Sequence, residues 1–317
     1  MDNLIPLQPN TRTQNFFALT HDFMIGSGSM QGWRPTMEDS YSIVVNMPNE
    51  PFTSMFGVFD GHGGNAISDF VSKNMYYYIV SDPAFKSGSI KDALLNAFQR
   101  IDNLLMNHSH YRHLEEGSTA VVVLIRNGTL FCANIGDSRA VAYARGEVIP
   151  LSRDHKPELR EENFRIVQAG CFVEYGRING DLAMSRAFGD FRFKRNRRKD
   201  MSQQAVISEP DVVEFVITKN WEFVVLACDG IWDTMTNEEV CSFIKSKISK
   251  NITVDIICEQ IIRKCLCKEY PAPDSLGADN MTIIIVVILD NVCRPYLNII
   301  NQAGRLPTVH FISTEAT

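Results

Sequence analysis

The chain has 317 residues, is 45% hydrophobic and carries a formal net charge of −6. It can bury a sizeable core, and its acidic balance argues against nucleic acid as a partner, because nucleic-acid binders usually present a basic surface. No apolar run approaches the roughly 20 residues that span a bilayer. No secretory signal opens the chain, and residue 2 is not the glycine that N-myristoylation needs. We expect a monomer in the cytoplasm, with the nucleus as an open alternative.

The eight cysteines include no C-x-x-C pair. Cys132, Cys228 and Cys258 lie inside apolar runs, where a thiol packs as a small hydrophobe. A chain of this length does not need disulfides, so we expect free thiols in a reducing compartment and no zinc–thiolate site.

Short apolar runs rich in β-branched and aromatic residues recur along the chain and predict strands. They cover residues 41–45, 55–59, 120–125, 130–135, 223–228 and 281–289. Asn127-Gly128 lies between the third run and the fourth. An Asn-Gly pair in that position predicts a tight antiparallel hairpin.

Apolar residues spaced three and four apart predict helices between the strands. One helix follows Ser89, a second spans 157–169 before Gly170, a third begins with a capping box at Thr236, and a fourth spans 254–267. The hairpins and helices come in separate blocks without regular β-α-β alternation. This order indicates an α+β protein whose helices cover antiparallel sheets.

Acidic residues lie at the ends of the apolar runs. They are Glu38, Asp39, Asp60, Asp137, Asp229 and Asp279. Carboxylates at the ends of buried strands are costly unless they are paired or bind cations, and no matching set of basic residues is present. A bound cation accounts for the whole set. With no adjacent histidine or cysteine ligands, the oxygens favour Mg²⁺, Mn²⁺ or Ca²⁺ over zinc.

Two of these acids are followed directly by glycine. The segments are 60–64, Asp-Gly-His-Gly-Gly, and 229–233, Asp-Gly-Ile-Trp-Asp. Glycine lets backbone carbonyls and water approach a metal because no side chain intervenes. A single Asp-Gly step is a common turn, but two such steps after buried strands are more specific.

Seven segments in order carry a resemblance to a known family. They are residues 32–39, 56–64, 117–120, 133–140, 182–190, 227–233 and 279–282. Over roughly residues 22 to 290 the chain resembles the protein phosphatase 2C family of metal-dependent protein serine/threonine phosphatases. The resemblance implies a four-layer α-β-β-α sandwich, with two antiparallel sheets flanked by helices. It divides the chain into an N-terminal segment 1–21, a catalytic domain 22–290 and a C-terminal tail 291–317.

Carried over residue by residue, the resemblance implies two metal ions bridged by Asp60, with help from the Gly61 carbonyl. Asp229 and Asp279 would complete the shell of one ion. Such an ion pair lowers the pKa of a shared water and neutralises charge on phosphoryl oxygens.

The other ion of the pair would be held by Glu38, largely through water, with Asp39 beside that shell. Asp137, with Thr119 nearby, matches a position that binds a weaker third ion in some family members. The implied cofactors are therefore two Mg²⁺ or Mn²⁺ ions and a weaker third.

Arg34 matches the phosphate-binding arginine of the family, and His62 matches its proposed general acid. A guanidinium binds two phosphate oxygens at once, and a histidine titrates in the range needed to protonate a leaving alkoxide. The implied reaction is attack of metal-activated water on phosphoserine or phosphothreonine in protein substrates. Neither a phosphoenzyme nor a cysteine nucleophile is expected.

Other interpretations stay open. His62 could satisfy a backbone group in its glycine-rich turn, and Asp137 could be a plain turn residue. A catalytically inactive relative that binds partners is the alternative function, although it would be expected to lack metal ligands such as Asp60 and Asp229. A phosphodiesterase or nuclease would be expected to mix more histidines with the acids.

Two further clusters invite a function. The basic run 194–199 falls by resemblance in a flap next to the site, and it could steer acidic or multiply phosphorylated substrates, act as a nuclear signal, or be a solvated loop. His108, His110 and His113 lack a carboxylate at ligand spacing, which favours a solvated loop over a metal site.

Overall fold

The computed structural model describes residues 8–45, 50, 52–269 and 276–289, and the backbone of 312–313. Its strands are β1 (Asn10–Leu19), β2 (Phe23–Gly32), β3 (Ser40–Val44), β4 (Thr53–Phe59), β5 (Gly61–His62), β6 (Gly117–Ser118), β7 (Ala120–Arg126), β8 (Thr129–Ile135), β9 (Arg139–Ala144), β10 (Glu147–Pro150), β11 (Val173–Glu174), β12 (Arg177–Ile178), β13 (Phe188–Gly189), β14 (Asp211–Val216), β15 (Trp221–Ala227), β16 (Met281–Ile288) and β17 (Ile312–Ser313). Its helices are α1 (Ala66–Val80), α2 (Pro83–Ser87), α3 (Ile90–Asn107), α4 (Arg160–Gln168), α5 (Asp229–Trp232), α6 (Asn237–Ile248) and α7 (Val254–Cys265). Short 3₁₀ turns occur at Tyr111–His113, Phe191–Phe193 and Met201–Gln203.

Two large antiparallel sheets pack face to face. One has the order β1-β2-β16-β15-β9-β10 and the other β14-β8-β7-β4-β3-β17. Alternate side chains of both sheets, such as Phe56 and Leu226, fill the core between them. The outer face of the sheet that contains β1 packs on α5, α6 and α7, and the outer face of the sheet that contains β14 packs on α1, α2 and α3. The predicted α-β-β-α sandwich is confirmed.

Local signals place several elements as predicted. Arg126 pairs with Thr129 around Asn127 and Gly128, whose φ angles are 49° and 76°, as a tight hairpin turn requires. Thr236 Oγ1 accepts a hydrogen bond from the Glu239 backbone N–H, which completes the predicted capping box of α6.

Two predicted helix ends were wrong. Leu159 N–H donates to Lys156 O in a turn, and Leu159 is then extended with ψ 135°, so α4 begins at Arg160 rather than at 157. The end of α7 is Cys265 rather than 267, because Cys267 N–H donates to Gly277 O instead of continuing the helix.

The first sheet includes residues that the sequence analysis placed in an N-terminal segment. β1 pairs with β2 from Asn10 to Leu19, so residues 10–19 belong to the sandwich. Residues 10–15 are polar and hid the strand. Its apolar end alternates between the faces, with Phe16 and Ala18 on the core between the sheets and Phe17 and Leu19 on the outer core of this sheet. The predicted tail lies outside the described residues except for Ile312–Ser313, whose backbone pairs with β3.

Residues 151–210, which lie between β10 and β14 and which we call the flap, build a small core of their own. α4 and the β11–β12 hairpin cover it. Its buried members are Ile166, Ala169, Ile178, Leu182, Ala187, Phe193, Ala205 and Val206.

The cysteines in the described part of the chain all have free thiols, as predicted. Within the same residues no helix is both long and apolar enough to cross a membrane.

Candidate metal centre

The acidic residues collect at one edge of the sandwich, where strands of both large sheets end. Asp60 lies between β4 and β5, Asp229 begins α5 one residue after β15, and Asp279 precedes β16. Because β4 belongs to one sheet and β15 and β16 to the other, the sandwich brings together acids that are distant in sequence.

Asp39, Asp60 and Cys228 form the centre of this group, with ligand-type atoms all within 4.8 Å of one another. Elsewhere in the described residues no three such side chains lie this close. Thr282 Oγ1 donates to Asp39 Oδ2 at 2.7 Å, whereas the buried Oδ1 of Asp39 has no partner. Cys228 is buried in the core, as predicted, and it also lies against the carboxylates, a contact that the sequence did not indicate.

The carboxylates of this centre bind protons unusually tightly. Burial raises the pKa of Asp39 to about 7, and the charge of Asp279 contributes. Burial and the charge of Asp229 raise the pKa of Asp60 well above its ordinary value. Burial and the charge of Asp137 do the same for Asp229. Carboxylates with so little compensating charge mark a functional site.

Glu38 lies beside this centre. The backbone of its loop packs directly against Gly61. Thr36 Oγ1 donates to Glu38 Oε1 at 2.7 Å, and Ser68 Oγ donates to the Glu38 carbonyl at 2.5 Å. A Cβ on Gly61 would press into that carbonyl and lie 2.8 Å from Ser68 Oγ. Glycine is therefore required at this position for the close approach of the Glu38 backbone.

Asn280 fixes the same loop and was not predicted to have a role. Its side chain donates to Gln31 O at 2.8 Å and to Thr36 O at 3.0 Å, and it accepts from Glu38 N at 2.8 Å. Arg34 lies in the loop between these contacts, so the buried Asn280 amide positions both Arg34 and Glu38.

Arg34 extends over the acid cluster toward solvent. Its Nη2 lies 2.6 Å from Asp279 Oδ2, and its side chain is 57% exposed. Burial lowers the pKa of Arg34, but the charges of Asp279, Asp229 and Asp60 raise it further, so the net shift is upward.

His62 is paired with a buried carboxylate that the sequence analysis quoted but did not assign. His62 Nε2 lies 2.7 Å from Asp190 Oδ2, and Asp190 is held by its N–H, which donates to Glu116 O at 3.0 Å. A Cβ on Gly117 would occupy the space of both side chains. Burial lowers the pKa of His62, whereas Asp190 raises it by charge and hydrogen bond, and the net shift is upward.

A buried ion pair anchors the segment that carries Asp190. Lys194 Nζ donates to Asp102 Oδ2 at 2.7 Å and to Ala187 O at 2.8 Å, and Asp102 Oδ1 accepts from Gly189 N at 3.0 Å. Lys194 and Asp102 have exposed side-chain fractions of 0% and 1%. The interpretation of the whole basic run as solvated or steering was therefore wrong for Lys194. The exposed members of the run are Arg195, Arg197 and Arg198.

Asp137 lies at the far side of the acid cluster with an unpredicted partner. Lys156 Nζ donates to its Oδ2 at 2.5 Å, and its buried Oδ1 has no partner. The Thr119 hydroxyl is 2.7 Å from that of Ser138, the residue that follows Asp137. Burial lowers the pKa of Lys156, but the charges of Asp137, Asp229 and neighbouring carboxylates raise it overall.

Two other sequence features do not belong to this site. Cys171 and Arg177 have the C-x5-R spacing of cysteine phosphatases, yet Arg177 Nη1 donates to Asp181 O and the residues between form the β11–β12 hairpin. His108, His110 and His113 are exposed, as predicted.

The carboxylates fit a divalent cation by two observations. Asp39 Oδ1 and Asp137 Oδ1 are buried without a hydrogen-bond partner, which is costly unless an ion binds there. Burial and the charges of Asp39 and Asp60 raise the pKa of Cys228 well above its ordinary value, so its sulfur stays a thiol. The remaining donors are oxygens, the ligands that Mg²⁺ and Mn²⁺ prefer.

Comparisons with known proteins agree with this site. Residues 23–270 match the family described as Protein phosphatase 2C. A probable protein phosphatase 2C of Caenorhabditis elegans is 41% identical, over 89% of this chain and 79% of its own length. Protein phosphatase 2C homolog 2 of Hypocrea jecorina is 40% identical, over 83% of this chain and 62% of its own length.

Solved structures share the fold. A serine-threonine phosphatase 2C from Toxoplasma gondii has a TM-score of 0.71 at 22% identity, covering 88% of this chain and 99% of that one. A sex determining protein of Caenorhabditis elegans has a TM-score of 0.70 at 24% identity, covering 84% and 65%.

The sandwich, its acidic edge and these matches identify an enzyme of the protein serine/threonine phosphatase class. The chain belongs to the protein phosphatase 2C family, whose members depend on metal ions.

Proposed function

We propose that this chain is an active phosphatase that hydrolyses phosphoserine and phosphothreonine in protein substrates with two Mg²⁺ or Mn²⁺ ions. The observation that carries the proposal is the uncompensated cluster of Asp39, Asp60 and Asp229, which has Arg34 and His62 at its rim. The oligomeric state of the protein and its location in cytoplasm or nucleus stay predictions from the sequence.

Asp60 with the Gly61 carbonyl, Asp229 and Asp279 are the proposed ligands of the ion pair. Glu38 and Asp39 complete it, with Asp39 nearer the centre than the sequence indicated. When bound, divalent ions supply a nucleophilic water and neutralise phosphoryl charge.

Arg34 binds the phosphate. Asp279 engages one of its guanidinium nitrogens, which holds the planar group over the acids and leaves donors for two phosphate oxygens. A phosphate bound there faces the carboxylates whose charges act on Arg34.

His62 protonates the leaving serine or threonine oxygen. Asp190 orients the ring through Nε2 and favours its protonated form, so the proton to be given is carried by Nδ1, a buried nitrogen with no partner. The Asp102–Lys194 pair keeps Asp190 in place from behind.

The test is phosphate release from a phosphothreonine peptide in Mn²⁺, in Mg²⁺ and in EDTA, with Asp229→Asn as the control. We expect release that needs a divalent ion and disappears in the variant. Folded protein that releases no phosphate with either ion would overturn the proposal and favour the inactive, partner-binding alternative.

A further inference from the structure

A lysine ammonium is paired with one carboxylate of the acid cluster, a contact that the sequence did not predict. Lys156 Nζ is 2.5 Å from Asp137 Oδ2, and the Asp137 side chain is only 3% exposed. Asp137 Oδ1 is buried and unpartnered, so half of this carboxylate is satisfied by the lysine and half is free.

The backbone that presents Lys156 is fixed. His155 N–H donates to Gly136 O at 2.8 Å, and Ser185 N–H donates to His155 O at 2.9 Å. The Lys156 side chain, in contrast, is 39% exposed. A four-carbon stem on a fixed backbone can carry the ammonium either to Asp137 or into solvent.

The ammonium and a divalent ion cannot both use Asp137 without cost. An ion that took both carboxylate oxygens would have to remove Lys156 from Oδ2, and two cations on the two oxygens of one carboxylate repel strongly at low dielectric. Conversely, the buried charge of Asp137 needs Lys156 when no ion compensates it.

We propose that Lys156 is an internal competitor for the ion at Asp137. Its ammonium neutralises this corner of the site, moves to solvent when a divalent ion binds there, and makes that ion the weakest of those the site takes. The inference rests on the proposed metal centre and concerns its regulation by divalent ion concentration.

The test is a Mn²⁺ titration followed by electron paramagnetic resonance of the free ion, which counts the bound ions and gives their dissociation constants. Lys156→Met removes the charge and keeps the stem. Lys91→Met is the matched control, because it changes the net charge equally at the start of α3, where Lys91 pairs with Glu214.

We expect the third Mn²⁺ to bind about 10-fold more tightly to Lys156→Met than to the original chain, and no change in Lys91→Met. A third ion that binds equally or more weakly in Lys156→Met, or no third ion in that variant, overturns the inference. No bound Mn²⁺ in any of the proteins would instead overturn the metal centre itself.

A second measurement separates this role from that of a surface charge. In EDTA, Lys156→Met should have a lower Tm than the original chain because Asp137 loses the ammonium paired with it, and saturating Mn²⁺ should remove the difference. An unchanged or higher Tm of Lys156→Met in EDTA counts against the inference.

Discussion

The molecule contains two clusters of buried charge that are built in opposite ways. In the flap, Glu162 accepts hydrogen bonds from Arg165 at 2.6 Å, from Arg186 at 2.6 Å and from Ser185 at 2.6 Å. Burial alone would raise the pKa of Glu162, but Arg186 and Arg165 lower it to about 2. In the metal centre the pKa of Asp39 rises to about 7.

The two clusters differ in the source of the positive charge that compensates their carboxylates. The protein itself compensates Glu162, so the flap cluster is complete and serves to hold α4 to the segment around Arg186. The metal centre provides one ammonium, at Asp137, and one guanidinium, at Asp279. A buried acid without sufficient cations marks a site that a ligand completes, whereas a compensated one is structural.

The largest change in the relative rate on two substrates should come from His62. Its ring pairs with Asp190 much as the ring of His155, within the flap, pairs with Asp211. His62→Gln should slow hydrolysis of a phosphothreonine peptide by about 10²- to 10⁴-fold, because the alkoxide leaves without its acid, and should affect an aryl phosphate much less. Initial rates on both substrates check this.

His155→Gln is the matched control for that experiment. It removes a buried, carboxylate-paired histidine of the structural kind, so any loss of rate should be the same for both substrates. Equal slowing of the two substrates by His62→Gln would remove His62 from the role of general acid.

The second effect concerns the compensated cluster. Glu162→Gln should cost about 3 kcal/mol of unfolding free energy at pH 7, because Arg165 and Arg186 lose a buried anion. Since the pKa of Glu162 is lowered from 4.5 to about 2, its contribution is complete above pH 4.5 and disappears as the pH falls through 2.

Urea unfolding of both proteins at pH 7 and at pH 3 measures this dependence. The gap between the original chain and Glu162→Gln should narrow at the lower pH. A gap of constant size would show that packing, and not charge, is lost in the variant.

The smallest effect is a gain in stability within the uncompensated cluster. In EDTA, Asp60→Asn should raise the unfolding free energy by about 1 kcal/mol, because it removes one of several repelling carboxylates. The same variant should lose nearly all phosphatase turnover and much of the stabilisation by Mn²⁺.

Asp39 should make the stability of the ion-free protein depend on pH in the opposite direction to Glu162. The pKa of Asp39 is raised from 3.8 to about 7, so the folded state binds its proton more tightly and stability in EDTA should rise as the pH falls from 8 toward 5. Thermal unfolding of the ion-free protein at pH 8 and pH 6 measures this dependence. A Tm that is lower at pH 6 than at pH 8 would contradict the assigned role of Asp39. For the preceding prediction, a lower Tm of Asp60→Asn than of the original chain in EDTA would show that the carboxylates do not repel.

Features with a local cause could be predicted from the sequence. The hairpin at Asn127-Gly128 and the capping box at Thr236 depend on residues a few positions apart, and both are confirmed. The acids at the strand ends were predicted to meet, and the charges of Asp39 and Asp229 do raise the pKa of Asp60.

Contacts between residues far apart in the sequence could not be predicted from it. His62 and Asp190 are 128 positions apart, and Lys194 and Asp102 are 92 apart, so no spacing in the sequence connects them. The sequence pattern of a basic run is the same whether or not its first member is buried, which is why Lys194 was misinterpreted. The burial of Cys228 was predicted from its apolar run, but its contact with the carboxylates was not, because the run does not show which group is buried beside it.

The anchor formed by Asp102 and Lys194 separates two properties of the flap. Everything that orients His62 lies at or before Lys194, whereas the exposed arginines Arg195, Arg197 and Arg198 follow it. We expect charge changes after the anchor to leave the His62–Asp190 pair in place, because the contacts that hold this pair lie at or before Lys194. The charge of this exposed stretch can therefore be varied separately from the groups that hold the histidine.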